Sequence, residues 1–171
     1  MSSKTMTGGE AVVEFLLEND VKLVTGLIGS STLEILDGLY NHKDKINYIG
    51  CRHESNGMIM MDAYARYTNK HGVFLAGQAG PGVSNTVTAM AQAKAAFSPV
   101  VNLAGAISSE HKGKDAFQEI DQESLMQSVS KQVFKIENIN NIHSVLKDAF
   151  TTAIQPRSGP VHVDMPRDVL G

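Results

Sequence analysis

Short apolar, β-branched runs alternate with helix-like segments along the whole chain, and this alternation constrains the fold most. The runs are VKLVTGLIG (21–29), INYIG (46–50), GVFLAG (72–77), PVVNLAG (99–105), KQVFKIE (131–137) and GPVHVDM (159–165). Continuous apolar runs are typical of strands buried on both faces, and helices between them make right-handed crossovers. We therefore predict an α/β fold with three layers, in which helices cover both faces of a six-stranded parallel sheet, doubly wound like flavodoxin.

Capping signals and helical periods place helices between these runs. Thr7 and Glu10 form a capping box that predicts a helix over 7–19, and Ser31 with Glu34 predicts a second one to about residue 42. Four more helices are expected over 54–69, from the turn at 80–82 to about 97, over 116–128 and over 139–155. No repeat or internal linker interrupts the series, so we expect residues 1–171 to be a single domain.

Charge and cysteine content exclude several function classes. The net charge of −3 gives no reason to expect nucleic acid or an anionic membrane as partner, and no apolar run is long enough to span a bilayer. The sequence opens without the apolar core of a signal peptide, and its one cysteine, Cys51, has no partner for an internal disulfide, so we expect a cytoplasmic location. Residues 72–109 carry a single charge, Lys94, which predicts the most fully covered part of the protein.

Ligands of open α/β sheets bind at the carboxyl ends of the strands, which makes Glu54 a candidate site residue. It follows strand INYIG directly and opens a helix with the apolar run MIMM (58–61). The helix dipole also favours an acidic residue in any first turn, so local grounds alone leave a structural role equally open. The MIMM run itself is more typical of core packing than of a cofactor site.

Each of the other motifs at the same edge has both a structural and a ligand-binding interpretation. GLIGSS (26–31) could bind a phosphate at a helix start, although it fits a plain strand-to-helix turn better. GQAGPGVSN (77–85) and the small residues after it would allow a flat ligand to approach closely, or form a tight turn with an internally packed helix. DAFQEIDQ (115–122) is either a solvated helix start or part of the site. The six histidines show no metal-ligand spacing.

Together, the segments RHESNGMIMMDAYARYTNKHGV, AGPGVSN, DAFQEIDQ and GPVHVDMPRDV resemble the N-terminal pyrimidine-binding domain of thiamine-diphosphate enzymes of the acetolactate synthase-like group. The resemblance covers nearly the whole chain, from about residue 7 to 169. It implies a 2-oxoacid decarboxylase or acyl-transferring enzyme. In this family the glutamate of the RHE motif contacts N1′ of the cofactor aminopyrimidine and promotes the imino tautomer, which deprotonates C2 of the thiazolium ring. The ylid then attacks the 2-oxo carbon, and carbon dioxide leaves.

The resemblance assigns these roles to individual residues. Glu54 matches the activating glutamate, so it is both catalytic and cofactor-binding, and Gln118 matches the glutamine that lines the substrate side. The other implied cofactor-binding residues are Gly29, Gly80, Pro81, Gly82 and Asn85. This chain has Ile-Gly-Ser-Ser (28–31) and Gln-Ala-Gly-Pro-Gly (78–82) where acetolactate synthases have Pro-Gly-Gly and Thr-Ser-Gly-Pro-Gly, so the substrate is left open.

The family binds Mg²⁺ and the diphosphate through a Gly-Asp-Gly motif, which this sequence lacks. The resemblance therefore implies no metal ligand in this chain and a partner domain, in the same or another subunit, that supplies Mg²⁺. It also implies a homo-oligomer and leaves FAD open. The chain ends soon after its sixth strand, which favours a fragment of a longer enzyme over a natural small subunit. The competing hypotheses are a stand-alone flavodoxin-like module that binds a nucleotide or flavin and a non-catalytic assembly domain.

Overall fold

The computed structural model describes residues 5–171, which fold around one parallel sheet. The strands are β1 (Leu23–Leu27), β2 (Asn47–Gly50), β3 (Gly72–Ala76), β4 (Val100–Ala106), β5 (Gln132–Lys135) and β6 (Val161–Pro166). They lie in the order β2-β1-β3-β4-β6-β5, and every neighbouring pair is parallel. The predicted six-stranded parallel sheet is confirmed.

The helices are α1 (Gly8–Glu18), α2 (Leu33–Asn41), α3 (Glu54–Thr68), α4 (Pro81–Ser84), α5 (Val87–Ala95), α6 (Gln122–Gln127), α7 (Ile142–Ile154) and α8 (Arg167–Leu170). They cover both faces of the sheet, because successive residues of a strand point to opposite sides. In β3, Val73 and Leu75 pack with α1, α2 and α7, whereas Phe74 and Ala76 pack with α3 and α5. The three-layer α/β prediction is therefore also confirmed.

The two predicted capping boxes have different outcomes. Thr7 and Glu10 exchange hydrogen bonds of 2.9 and 3.1 Å at the start of α1, as predicted. The box predicted for Ser31 and Glu34 is wrong, since a 3₁₀ turn occupies 30–32 and α2 begins only at residue 33 without a side-chain cap. The Ser31 hydroxyl instead accepts a hydrogen bond of 3.3 Å from the backbone N–H of Ala79, in the loop after β3. It is therefore bonded to that loop and does not cap α2.

Two predicted helices are shorter than expected. The helix expected from 80–82 to about 97 is divided into α4 and α5, because the Thr86 backbone N–H donates to the Val83 carbonyl, three residues back, at 2.9 Å. The buried Thr86 hydroxyl donates to the same carbonyl at 2.7 Å. The helix expected over 116–128 begins only at residue 122, after a loop in which Asp115 and Gln118 have positive φ angles. Residues with these angles cannot continue a right-handed helix.

Burial in α3 and in strands β3 and β4 can be compared with the apolar pattern of the sequence. In the MIMM run, Met58 and Met61 are buried in the core, but Ile59 and Met60 are 38% and 42% exposed on the outer side of α3. The strands of the weakly charged 72–109 segment are almost fully buried, but α5 exposes Thr88, Ala91 and Ala95, so the predicted coverage of this segment holds for its strands and not for its helix. Across residues 5–171, no helix has both the length and the apolar character needed to cross a bilayer.

Candidate functional site

Glu54 opens α3 at the carboxyl edge of the sheet, where the chain turns sharply from β2 into the helix. Cys51 donates its backbone N–H to the Gly26 carbonyl at 2.8 Å, so the chain keeps its alignment with β1 just past the end of β2. The His53 ring then caps the helix, since its Nδ1 accepts a hydrogen bond of 3.2 Å from the Ser55 backbone. This turn places Glu54 under the neighbouring loop, where it is only 4% exposed.

The carboxylate of Glu54 is buried but only partly paired. Its Oε2 accepts a hydrogen bond of 2.9 Å from the Asn85 side-chain amide. Within residues 5–171, Oε1 has no hydrogen-bond donor, and no basic side chain forms an ion pair with either oxygen. Gly82 lies beside Oε1, and a Cβ at that position would sit 3.4 Å from it. A buried carboxylate normally fills its acceptor sites, so Oε1 is available to a donor from outside the chain.

Asn85 is held in place from two sides. Its side chain donates to Glu54, and its carbonyl accepts a hydrogen bond from the Ser55 hydroxyl. The residue therefore ties the end of α4 to the first turn of α3 by two separate bonds. Glu54, Gly82 and Asn85, three of the predicted site residues, come together as one cluster.

A second cluster forms where Gln118 meets the loop that follows β3. The Gln78 side-chain amide donates to the Gln118 side-chain oxygen, and Gln78 Oε1 accepts hydrogen bonds of 3.0 and 3.3 Å from the backbone and hydroxyl of Ser30. Gln78 thus joins the loop after β1 to the loop before α6. The sequence placed Gln78 at the carboxyl end of the third strand and as a departure from the family pattern, but its spacing of 40 residues from Gln118 gives no local signal for their contact.

Backbone geometry requires two of the predicted glycines. Gly80 has a φ of +64°, and a Cβ there would lie 2.1 Å from the Gln118 carbonyl oxygen. Gly29 meets Gly77 so closely that a Cβ on Gly29 would lie 2.2 Å from the Gly77 carbonyl carbon. Only glycine fits such close backbone approaches, which accounts for both residues without a ligand. Pro81, the remaining predicted residue, is exposed at the first position of α4.

A cavity of about 200 Å³ lies beside Gln118, between β4, β6 and the loop before α6. At its rim, Glu123 accepts hydrogen bonds of 3.0 Å from Lys112 and lies 3.3 Å from the ammonium of Lys135. Burial acts to raise the pKa of Glu123, but the two lysines outweigh burial and lower that pKa. Both lysines are therefore already paired, and no other basic side chain among residues 5–171 lines the cavity.

No group of three or more potential metal-binding side chains occurs between residues 5 and 171. His162 is fully buried in β6, and Phe117 next to Gln118 is 87% exposed. The carboxyl edge of the sheet therefore carries a buried acid, Glu54, with one oxygen that has no donor among residues 5–171.

This geometry is accompanied by a family match. The family model for the N-terminal TPP-binding domain of thiamine pyrophosphate enzymes matches residues 6–125, and the chain belongs to this family. It is similar to large subunits of acetolactate synthase. It is 36% identical over 166 residues to isozyme 1 of Escherichia coli K12, and 38% identical over 164 residues to the large subunit of Corynebacterium glutamicum.

A probable acetolactate synthase large subunit of Methanococcus aeolicus is also 38% identical over 164 residues. These matches cover 96 to 97% of this chain but only 26 to 29% of the relatives, so the chain spans less than a third of their length. The match confirms the predicted family at the level of a TPP-binding domain of acetolactate synthase-like proteins.

Proposed function

We propose that this chain is the pyrimidine-binding part of a thiamine-diphosphate-dependent enzyme that acts on 2-oxo acids, and that Glu54 activates the cofactor. The observation that carries the proposal is the Glu54 carboxylate, which is 4% exposed and has one oxygen without a donor among residues 5–171. A carboxylate oxygen of a buried residue normally takes part in a hydrogen bond, so Oε1 favours a bound ligand with which it can share a proton.

The residues present fit the aminopyrimidine of thiamine diphosphate. Gly82 carries no side chain beside Oε1, which leaves room for a flat ring against the carboxylate. The Asn85 amide holds Oε2 at 2.9 Å and so orients Oε1. When bound, the cofactor supplies a carbanion equivalent that adds to the 2-oxo group. Glu54 holds the proton at N1′ of the ring, which is general acid–base catalysis by a positioned carboxylate.

The proposal includes a second domain that this chain does not contain. The sequence has no Gly-Asp-Gly motif, and the relatives are more than three times as long as this chain. We therefore propose that a diphosphate-binding domain, in the same or a partner subunit, holds Mg²⁺ and the diphosphate. The expected homo-oligomer belongs to the same proposal, because the resemblance implies that a partner subunit completes the site. The proposed cytoplasmic location rests on the single cysteine, Cys51.

The substrate is proposed only as a class, a small 2-oxo acid. Gln118 is the residue of this chain that we place nearest to it. The side-chain amide of Gln78 donates to Gln118 Oε1, which orients the Gln118 amide. Its NH₂ group has no acceptor among residues 5–171, so it can meet a carboxylate. Gln118 also has a φ of +65°, an uncommon angle for a residue with a side chain.

The test is the Glu54→Gln variant of the complete enzyme that carries this chain. Carbon dioxide release from a panel of 2-oxo acids should fall about 100- to 1,000-fold, because a positioned proton acceptor is lost while size and shape are retained. Glu137→Gln, the same change at an exposed residue that follows β5, should retain wild-type turnover. Turnover of Glu54→Gln at the wild-type rate would contradict the assignment.

A further inference from the structure

Helix α4 is a single short turn, yet it carries the residues next to the proposed catalytic carboxylate. Gly82 lies within it, and Asn85 follows it directly. A four-residue helix has little intrinsic stability, so its position has to come from tertiary contacts. Buried polar side chains at both of its ends supply such contacts.

The first end is held by Gln122, the opening residue of α6. The Gln122 side-chain oxygen accepts a hydrogen bond of 2.7 Å from the backbone of Gly80, which precedes α4. The side-chain amide of Gln122 donates to Asp164 at 2.6 Å and to the Gly105 carbonyl at 3.3 Å. Gln122 is 5% exposed, so all of its hydrogen-bonding groups are used inside the protein.

The C-terminal end of α4 is held by side chains of the neighbouring strands β6 and β4. His162 Nε2 donates to Asp164 Oδ1 at 2.8 Å, and His162 Nδ1 accepts from the Asn102 amide at 3.1 Å. The same Asn102 amide donates to the Thr86 hydroxyl at 3.2 Å, and that hydroxyl donates to the Val83 carbonyl. Because an ionised carboxylate can only accept, the contact with Asp164 calls for a proton on His162 Nε2 and leaves Nδ1 to accept from Asn102.

We propose that this network, made of Gln122, Asp164, His162, Asn102 and Thr86, positions α4 and thereby holds the Asn85 amide against Glu54. The network starts at Gly80 before α4 and returns at Val83 in its last turn and at Thr86 after it, so both ends of α4 are attached to one continuous series of side chains. The inference rests on the proposed function of Glu54. Gln122 and Thr86 are positioning residues, because neither contacts the Glu54 carboxylate itself.

The cost of breaking the network should appear in catalysis as well as in stability. All five side chains are at most 5% exposed, so the loss of one member leaves a buried partner unpaired and allows α4 to move. A displacement of the Asn85 amide turns the Glu54 carboxylate away from its working orientation. We expect about a tenfold or larger fall in kcat, with little change in KM for the 2-oxo acid.

The experiment uses the complete enzyme with Gln122→Met and, separately, Thr86→Val, each close in volume to the residue replaced. The matched controls are the exposed Gln127→Met on α6 and the exposed Thr88→Val on α5. The value measured is kcat per folded active site at saturating cofactor and substrate. Both network variants should lose about tenfold or more, and both controls should retain wild-type kcat.

Coupling to Asn85 separates positioning from general destabilisation. If Gln122 acts through Asn85, Gln122→Met combined with Asn85→Ala should be no slower than the slower single variant. Losses that multiply, or a wild-type kcat in the folded fraction of Gln122→Met and Thr86→Val, would overturn the inference. An active Glu54→Gln variant would instead overturn the proposed function, whereas an inactive Glu54→Gln with fully active network variants would overturn the positioning role alone.

Discussion

Two acidic residues are buried on the same side of α3, about two turns apart, and their surroundings differ. Asp62 accepts hydrogen bonds from both Arg66 donors at 3.1 and 2.8 Å, from Gln92 at 2.8 Å and from Ser98. Glu54 accepts one hydrogen bond, from Asn85, within residues 5–171. A buried acid whose acceptor sites are filled by its own chain holds the structure together, whereas one that keeps a free oxygen at the edge of the sheet is suited to a ligand.

The largest predicted effect is on stability and concerns Asp62. Asp62→Asn turns an amide group toward donors from Arg66, Gln92 and Ser98, so buried donors face each other. We expect a loss of about 3 kcal/mol in the free energy of unfolding, since breaking a buried charged network leaves groups unpaired. Glu54→Gln, which changes one hydrogen bond, should change the free energy of unfolding by less than about 1 kcal/mol.

Urea unfolding of the two variants measures this difference directly. Equal losses for Asp62→Asn and Glu54→Gln would break the comparison, because Glu54 would then be as structural as Asp62.

The next effect concerns access to the free oxygen. Gly82→Val would place a side chain beside Oε1 of Glu54, where a Cβ alone already lies at 3.4 Å, and against the Gln78 Cβ at 3.1 Å. We expect thiamine diphosphate to bind about 10- to 100-fold more weakly to the complete enzyme, a range of about 1.4 to 2.8 kcal/mol. Gly50→Ala, where the nearest atom lies 3.9 Å away, should leave that affinity unchanged. Calorimetric titration of thiamine diphosphate into the complete enzyme measures this affinity for both variants.

The smallest predicted effect is a loss of folding stability at low pH, which comes from Asp62. Burial acts to raise the pKa of Asp62, but the hydrogen bonds from Ser98, Gln92 and Arg66 outweigh burial and hold that pKa below its ordinary value of 3.8. The folded state therefore binds the proton less readily than the unfolded state, so the stabilisation is present above about pH 4 and is lost as the pH falls through the folded pKa.

Unfolding curves between pH 5 and 2, on the order of one pH unit apart, would show this loss in the wild type and a flatter profile in Asp62→Asn. A parallel decline in both proteins would assign the acid sensitivity to other carboxylates.

Much of the fold could be predicted from sequence because its signals are local. Six β-branched runs, buried on both faces, predicted all six strands, and the capping box at Thr7 predicted the start of α1. The predictions failed where a polar side chain has a partner in a distant element. The Ser31 hydroxyl meets the Ala79 backbone instead of capping α2, and the Thr86 hydroxyl meets Val83 and Asn102 at the point where one predicted helix is divided into two.

The site could be predicted only in part, for the same reason. Glu54, Gly82 and Asn85 follow strand ends that meet at one edge, so the sheet alone brings them together. Gln78 contacts Gln118 across 40 residues of sequence, and Gln122 contacts Gly80 across 42. The left-handed backbone at Gln118 lies in a loop that was expected to be helical, so no pattern of apolar residues predicted it.

The most direct test of the account is the rate at which thiamine diphosphate, bound to the complete enzyme, exchanges its C2 proton for deuterium. This rate requires no knowledge of the substrate. If the free Glu54 oxygen serves the cofactor, Glu54→Gln should slow the exchange about 100- to 1,000-fold, while the folded fraction of Asp62→Asn exchanges at the wild-type rate. Exchange in Glu54→Gln as fast as in the wild type would contradict the central claim.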